Sequence, residues 1–151
     1  MSASSLLLDA NVWVALTFTS HPRHKAAAAL FAETTSRAPA CFCRATEQSF
    51  LRLASTPAIL EAYGATGLNN ADALRVFLAF TALPQVRSLA EPAKLPPLWH
   101  KLAGIPTVSP KIWMDAYLAA FAIGSDLTFV TLDQGFRAYE SAGLRLRLLP
   151  A

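Results

Sequence analysis

The sequence predicts an α/β fold, a single α/β/α sandwich built on a mainly parallel central sheet. Short apolar segments rich in β-branched and aromatic residues alternate along the chain with longer amphipathic or alanine-rich segments, which is the pattern of strand–helix–strand units. Hydrophobic residues make up 54% of the chain and charged residues only 15%, so a large core is available. A length of 151 residues suits one domain, and we expect residues 1–151 to form it.

Five short apolar runs are predicted as strands. They cover residues 4–10, 38–43, 86–90, 127–132 and 144–149. The run 127–132, "LTFVTL", has the composition of a buried strand, yet a carboxylate, Asp133, follows it directly. Asp suits the exit from a strand into a turn, and "DQG" has the composition of a turn. Whether Asp133 has any further role depends on where the other carboxylates lie.

Seven segments between and after these strands are predicted as helices, residues 11–18, 21–36, 46–56, 69–83, 96–104, 109–124 and 135–143. Capping and breaking residues mark several of their ends. Thr46 is the expected N-cap of the third helix, which Pro57 ends. In the sixth helix we expect Ser109 as the N-cap, Pro110 in the first position and Gly124 at the end.

Three carboxylates stand next to the ends of predicted strands. Asp9 ends the first strand, Glu47 begins the helix after the second, and Asp133 ends the fourth. Because the carboxyl ends of parallel strands meet at one edge of the sheet, these side chains are expected at the same edge. Taken singly, Asp9 and Asp133 are equally well explained as turn residues. Glu47 taken singly is better explained as an acid in the first turn of a helix.

A fourth carboxylate, Asp115, interrupts the apolar face of a helix. The residues three before it and three, four and seven after it are all apolar, namely Ile112, Leu118, Ala119 and Ala122. These positions share one helix face, which should pack on the sheet. A buried carboxylate is costly unless it is paired, protonated or bound to a metal, so Asp115 favours a functional site.

Converging carboxylates without lysine partners repel one another, and a hard divalent cation is the usual compensation. Mg²⁺ and Mn²⁺ prefer such oxygen ligands, and sites of this kind hydrolyse nucleic acids or other phosphate esters. The whole chain has a formal charge of +3. Without these four acids, thirteen Lys and Arg face six acids, a balance of +7 that suits a polyanionic substrate.

Four stretches, "LLLDANVWVAL", "TEQSFLRLAS", "SPKIWMDAYLAAFAIG" and "FVTLDQGF", resemble in order and context the acidic motifs of the PIN-domain ribonucleases. The resemblance covers essentially the whole chain and is specifically to the VapC toxins of toxin–antitoxin pairs. It implies Mg²⁺- or Mn²⁺-dependent endoribonuclease activity on an α/β/α fold. It also implies that Asp9, Glu47, Asp115 and Asp133 serve as the catalytic and metal-binding acids.

Two neighbours of these acids match positions close to the family's acidic cluster. Asn11 is expected to orient Asp9, and Thr131 to donate a hydrogen bond to a carboxylate or a water. An N-cap role for Asn11 and an ordinary strand role for Thr131 are equally compatible with the sequence.

The resemblance also implies basic residues around the cleft. Arg44 is the first candidate for contact with an RNA phosphate, followed by Lys111 and Arg137, although each of them taken singly is better explained as a solvated surface charge.

The resemblance further implies a VapB-type antitoxin as partner and a homodimer, or a higher-order assembly with the antitoxin, and exposed apolar patches are expected to form these interfaces. No apolar run is long enough to span a membrane and the first residues lack the basic start of a signal peptide, so a cytoplasmic protein is expected. Cys41 and Cys43 are expected to be buried structural thiols. Two rival interpretations stay open: an inactive PIN-fold binding module, and a DNA nuclease or phosphatase that uses the same metal site.

Overall fold

The central sheet of the computed structural model, which describes residues 4–150, has five strands in the order β3-β2-β1-β4-β5. All four strand pairs are parallel, so the predicted fold class is confirmed. Residues 1–3 and 151 of the expected single domain lie outside the described residues. The strands are β1 Leu6–Leu8, β2 Ala40–Phe42, β3 Val86–Ser88, β4 Thr128–Thr131 and β5 Arg145–Leu148.

Seven α-helices and one 3-10 helix surround the sheet in the described chain. They are α1 Ala10–Thr17, α2 His24–Ala32, α3 Arg44–Leu53, α4 Pro57–Ala62, α5 Asn70–Thr81, α6 Leu95–Ala103, α7 Ile112–Gly124 and the 3-10 helix Gln134–Ala142. The short helix α4 was not predicted, because Pro57 was interpreted only as the end of α3. Proline is tolerated in the first turn of a helix, and here it opens α4 with Thr56 as the N-cap.

Both faces of the sheet are covered by helices, and each face carries its own apolar core. One core, on the side of α1, α2, α3 and α5, is centred on Trp13, whose ring stacks on Phe42 with 3.9 Å between centroids. The other joins α6, α7 and the 3-10 helix around Phe121 and Phe129. Burial on both faces explains why β1 and β2 are uninterrupted apolar runs.

The two cysteines, Cys41 and Cys43, are buried and unpaired on the second face, as predicted. Burial raises the pKa of the Cys41 thiol to about 11, so this thiol stays protonated at neutral pH. Both cysteines therefore serve as small apolar core residues.

Two predicted helix starts were wrong. Helix α3 begins at Arg44 with Cys43 as the N-cap, two residues before the predicted start. Thr46 is the third helical residue instead, and its hydroxyl accepts from the backbone N–H of Cys43 at 2.9 Å. It thereby takes the part that Glu or Gln plays in a capping box, which the sequence alone did not distinguish from an N-cap.

Helix α7 begins three residues after its predicted N-cap, Ser109. The backbone N–H of Ile112 donates to the carbonyl oxygen of Ser109 at 3.1 Å, so Ser109, Pro110 and Lys111 form a turn before the helix. Asp115 consequently lies in the first turn of α7. No helix within residues 4–150 is long and apolar enough to cross a membrane.

Candidate active site

Asp9 lies at the junction of β1 and α1, on the carboxyl edge of the sheet. One oxygen, Oδ1, accepts from the backbone N–H of Ala10 at 2.8 Å, and the other, Oδ2, accepts from the hydroxyl of Thr131 at 2.7 Å. Burial raises the pKa of Asp9, and the negative charges of Asp115 and Asp133 raise it further, against the two hydrogen bonds that lower it. Two hydrogen bonds therefore fix the position of the Asp9 carboxylate, whereas burial and the neighbouring negative charges disfavour its ionised form.

Thr131, the last residue of β4, connects the ends of the two central strands. Its fully buried hydroxyl donates to Asp9 and accepts from the backbone N–H of Asp133 at 3.1 Å. The side-chain amide of Asn11 donates to the same hydroxyl at 3.3 Å, and its carbonyl accepts from the backbone N–H of Leu132 at 3.4 Å. Asn11 therefore contacts Thr131 and the β4 backbone, and the expected orienting effect on Asp9 is indirect.

Asp133 follows β4 and caps the 3-10 helix. Its Oδ1 accepts from the backbone N–H of Gly135 at 2.8 Å, while its Oδ2 lies 3.8 Å from the Nζ of Lys111. A Cβ at position 135 would lie 3.0 Å from Asp133 Oδ1, so glycine allows this close approach. The "DQG" stretch is therefore a turn, as its composition indicates, and it also holds a carboxylate at the carboxyl edge.

Asp115 faces the same cluster from the first turn of α7. Burial raises its pKa, the positive charge of Lys111 lowers it, and the negative charge of Asp133 raises it. The pKa of Tyr139 is raised by burial and by the charge of Asp115. Asp9 and Asp115 form no ion pair within the described chain, whereas Asp133 has only the long contact with Lys111. The structure thus brings three predicted acids, on three different elements, into one electrostatic cluster.

Glu47, the fourth predicted acid, is held differently. Both of its carboxylate oxygens accept from the guanidinium of Arg44, at 3.1 and 3.0 Å, and the pair lies on α3 beside the end of β2. Glu47 lines a separate cavity of about 570 Å³ at this end of the sheet, together with Arg44 and Tyr117. The negative charges that raise the pKa of Asp9 are those of Asp115 and Asp133 and do not include that of Glu47. Glu47 is therefore not a member of the three-aspartate cluster.

The same cavity holds two residues that the sequence did not single out. The hydroxyl of Tyr117 donates to Glu91 Oε1 at 2.9 Å, and the pKa of Tyr117 is raised by burial first and by this bond to Glu91 second. Tyr117 is two residues from Asp115 on α7, a spacing at which helix side chains do not share a face, so the sequence pattern did not single it out. Glu91 lies in an irregular loop after β3, where no periodic pattern predicts its neighbours.

The predicted basic residues divide into two groups. Arg44 and Lys111 are highly exposed, and each contacts one of the predicted acids, Glu47 and Asp133 respectively. Arg137 lies 3.7 Å from Glu140 within the 3-10 helix. The structure therefore places Arg44 and Lys111 at the rim of the acidic edge, while contact of any of the three with RNA stays a prediction.

No group of three or more acidic, histidine or cysteine side chains within residues 4–150 is close enough to form a preassembled metal site. The carboxylates instead face donors of the protein itself, which are Ala10 and Thr131 at Asp9 and Gly135 and Lys111 at Asp133. The donor chemistry nevertheless fits a hard divalent cation, because oxygen ligands are available and because burial and neighbouring aspartate charges raise the pKa of Asp9 and of Asp115. The side chains of Asp9, Asp115 and Asp133 would have to rotate before all three could contact one ion.

Comparison with known proteins gives concordant matches. The PIN-domain family profile matches residues 6–141. Ribonuclease VapC41 of Mycobacterium tuberculosis is 41% identical over 145 residues, which is 95% of this chain and 98% of that relative. The crystal structure of VapC20 from the same species, described as a sarcin–ricin loop cleaving toxin, aligns with a TM-score of 0.62 at 18% identity and covers 93% of this chain and 96% of its own. VapBC-1 of nontypeable Haemophilus influenzae aligns with a TM-score of 0.65 at 16% identity, over 95% and 97% of the two chains.

Proposed function

The chain belongs to the PIN-domain family, within its VapC branch, and we propose that it is a metal-dependent endoribonuclease that acts as the toxin of a toxin–antitoxin pair. The observation that carries the proposal is the cluster of Asp9, Asp115 and Asp133 at the carboxyl edge of the sheet, where the charges of the other two raise the pKa of Asp9. Such mutual repulsion is relieved by a bound cation, which a nuclease of this kind requires. The name of the relative VapC41 supports RNA as the substrate.

Asp9, Asp115 and Asp133 are proposed to hold Mg²⁺ or Mn²⁺. The cation supplies activation of the attacking water and neutralisation of charge on the phosphodiester. Thr131 positions Asp9 through its hydroxyl, and Asn11 fixes Thr131 in turn. This chain of contacts restricts the rotamer of Asp9, so the geometry of the donor set depends on a buried threonine that itself carries no charge.

Glu47 is proposed to act on the proton of the attacking water or to bind the cation through a water. In its contact with Arg44 its carboxylate is neutralised, so substrate must compete for that guanidinium. An RNA phosphate bound by Arg44 would release Glu47 as a base. Lys111 is proposed to bind an RNA phosphate in the same way as Arg44. Its Nζ lies 3.8 Å from the carboxylate of Asp133.

The proposed partners are a VapB-type antitoxin and a second copy of the chain. The antitoxin is supported by the structural similarity to VapBC complexes such as that of Haemophilus influenzae. A homodimer is supported by an apolar patch on α7, where Trp113 and Met114 are each 49% exposed and border a cavity of about 340 Å³ with Trp99 and Pro110. With such a partner and substrate, a cytoplasmic location is proposed.

The test is cleavage of a mixed pool of structured RNAs by the antitoxin-free protein, with Mn²⁺, with EDTA, and with Asp115→Asn in parallel. Discrete cuts that disappear with EDTA and with the variant are expected. A folded protein that binds Mn²⁺ and cuts a DNA pool or a chromogenic phosphate ester in preference to RNA would replace the proposal with the nuclease or phosphatase alternative. A folded protein that neither binds Mn²⁺ nor cuts RNA would be a binding module.

A further inference from the structure

Arg23 lies at the same edge of the sheet as the aspartates, a position that no pattern in the sequence predicts. Its Nη1 donates to the carbonyl oxygen of Leu149 at 3.4 Å, and Leu149 directly follows β5. The backbone N–H of Leu149 donates to the carbonyl of Thr131 at 2.9 Å, and the Thr131 hydroxyl contacts Asp9. A short series of hydrogen bonds thus connects the Arg23 guanidinium to the acidic cluster along the carboxyl edge.

The charge of Arg23 is not compensated by an acid. None of the ion pairs among residues 4–150 involves Arg23, although this side chain is half-buried. A half-buried guanidinium that faces only a backbone carbonyl has most of its five donors available. Such a group favours an anion with several acceptor oxygens, of which a phosphate is the best match.

Two histidines add hydrogen-bonding groups beside Arg23. The backbone N–H of Arg23 donates to His21 Nδ1 at 3.0 Å, so the ring proton of neutral His21 is on Nε2, where it is a further donor. His24 contacts the carbonyl of Ala15 through its Nδ1 at 2.9 Å. Burial lowers the pKa of His21, and the nearby charges of Arg23 and His24 lower it further. We call these three residues the α2 basic patch.

The α2 basic patch and Arg44 lie on opposite sides of the acidic cluster. In the strand order, β2 with Arg44 lies on one side of the aspartates and β5 with the α2 basic patch on the other. Three strand spacings separate β2 from β5, about 14 Å at ~4.8 Å per spacing. A single strand of RNA crossing this edge would meet Arg44, then the acidic cluster, then Arg23.

We propose that the α2 basic patch, with Arg23 at its centre, binds a phosphate of the RNA on the β5 side of the cleavage site. This inference rests on the proposed function and deepens it, because it assigns the path along which the RNA strand crosses the carboxyl edge of the sheet. Arg44 binds a phosphate on the β2 side, so cationic groups hold the strand on both sides of the acids. The phosphodiester between them is then presented to the aspartate cluster in spite of its negative charge.

The chain provides a matched control in Arg87. Like Arg23, it forms no ion pair in the described chain and donates to a backbone carbonyl, that of Ser36, at 3.1 Å. Ser36 precedes β2, so Arg87 points to the opposite, amino edge of the sheet. Removing Arg23 or Arg87 changes the net charge equally, and the two differ in location and in exposure, since Arg87 is exposed and Arg23 is half-buried.

The experiment measures binding of a short fluorescent single-stranded RNA of mixed sequence to Asp115→Asn protein, which prevents cleavage during the measurement. Arg23→Ala, Arg23→Gln and Arg87→Ala are added to this background, over about 50 to 200 mM salt. Arg23→Gln removes the charge but keeps most of the aliphatic side chain and an amide donor, so it controls for loss of packing. We expect about ten-fold weaker binding for both Arg23 variants and a salt dependence whose slope is smaller by about 0.7, the value for one phosphate contact on a single strand. We expect little change for Arg87→Ala.

Three results would overturn the assignment. Equal affinities of the Arg23 and Arg87 variants would mean that only net charge matters. Weakening by Arg23→Ala without weakening by Arg23→Gln would show a structural effect. If Arg23→Gln weakens binding of polyglutamate but not of RNA, the patch fits an acidic protein segment. Cleavage by the wild type is measured separately, so an RNA-binding protein that never cuts would refute the proposed nuclease and leave the role of Arg23 intact.

Discussion

The two sides of the acidic edge differ in how their carboxylates are held. At the ends of β1 and β4, Asp9 and Asp133 belong to a half-buried network around the Thr131 hydroxyl, in which burial and the charges of Asp115 and Asp133 oppose ionisation of Asp9. Beside β2, Glu47 belongs to an i,i+3 pair with Arg44, whose side chain is 75% exposed. In the first arrangement the negative charges repel one another, and a bound cation would relieve this repulsion. The second arrangement is an ordinary surface ion pair, which adds little stability.

The largest predicted difference between the two sides is in catalysis. Asp115→Asn should lower the cleavage rate by about a thousand-fold or more, because a ligand of the cation is lost. Glu47→Gln should lower it by about a hundred-fold, which is typical for loss of a general base. Single-turnover cleavage with saturating Mn²⁺ measures both rates. Equal losses would place Glu47 in the cation site with the aspartates, and an unaffected rate in Glu47→Gln would remove Glu47 from the mechanism.

The second prediction concerns stabilisation by the cation. Mn²⁺ at about 100 times its dissociation constant should raise the free energy of unfolding of the wild-type protein by about 2.7 kcal/mol. Asp115→Asn should lose most of this gain, whereas Glu47→Gln should keep most of it. Thermal denaturation with and without Mn²⁺ measures the difference, and NaCl at equal ionic strength serves as a control for general charge screening. A gain of the same size in Asp115→Asn would exclude the aspartate cluster as the main cation site.

The third prediction tests the network that distinguishes the β1–β4 side. Thr131→Val removes the donor to Asp9 and the acceptor for the Asp133 N–H, and it should lower activity by about ten- to a hundred-fold through misplacement of Asp9. Thr131→Ser keeps the hydroxyl and should restore most of the activity. A merely structural role of Thr131 would change stability without affecting Mn²⁺ affinity, whereas a role in positioning Asp9 would weaken Mn²⁺ binding. The Mn²⁺ titration of Thr131→Val therefore decides between these two roles.

The smallest effect is on the pH dependence of the metal-free protein. The pKa of Asp115 is raised in the folded state above its ordinary value of 3.8, so the folded state binds more protons than the unfolded state between these two pKa values. The contribution of Asp115 to stability is therefore greatest below pH 3.8 and decreases as the pH rises through its folded-state pKa. Asp115→Asn should remove this decrease and be more stable than the wild type at pH 7 by about 1 kcal/mol or less. Urea denaturation in EDTA at pH 5 and pH 7 checks the sign, and a variant less stable at pH 7 would contradict it.

The sequence was sufficient for the order of the five strands and for the edge at which the acids meet, whereas the short helix α4 was missed. Strand composition located β1, β2 and β4, and parallel pairing required their carboxyl ends to lie together, so Asp9 and Asp133 were placed correctly from local pattern alone. The interrupted apolar face of α7 likewise identified Asp115. That residues 1–151 form one domain, and that the four acids act in catalysis, stay predictions.

Only the tertiary structure decided which partners the acids have. Asn11 and Thr131 are 120 positions apart in the sequence, and the contact between them depends on β1 pairing with β4. The contrast between Glu47 with its arginine and the unpaired Asp9 has the same origin, as does the placement of Arg23 next to Leu149 at the end of β5. Periodicity and composition are properties of neighbouring residues and fix the elements, whereas burial and hydrogen-bond partners arise between residues far apart in the chain. Those long-range contacts determine where each charge is compensated.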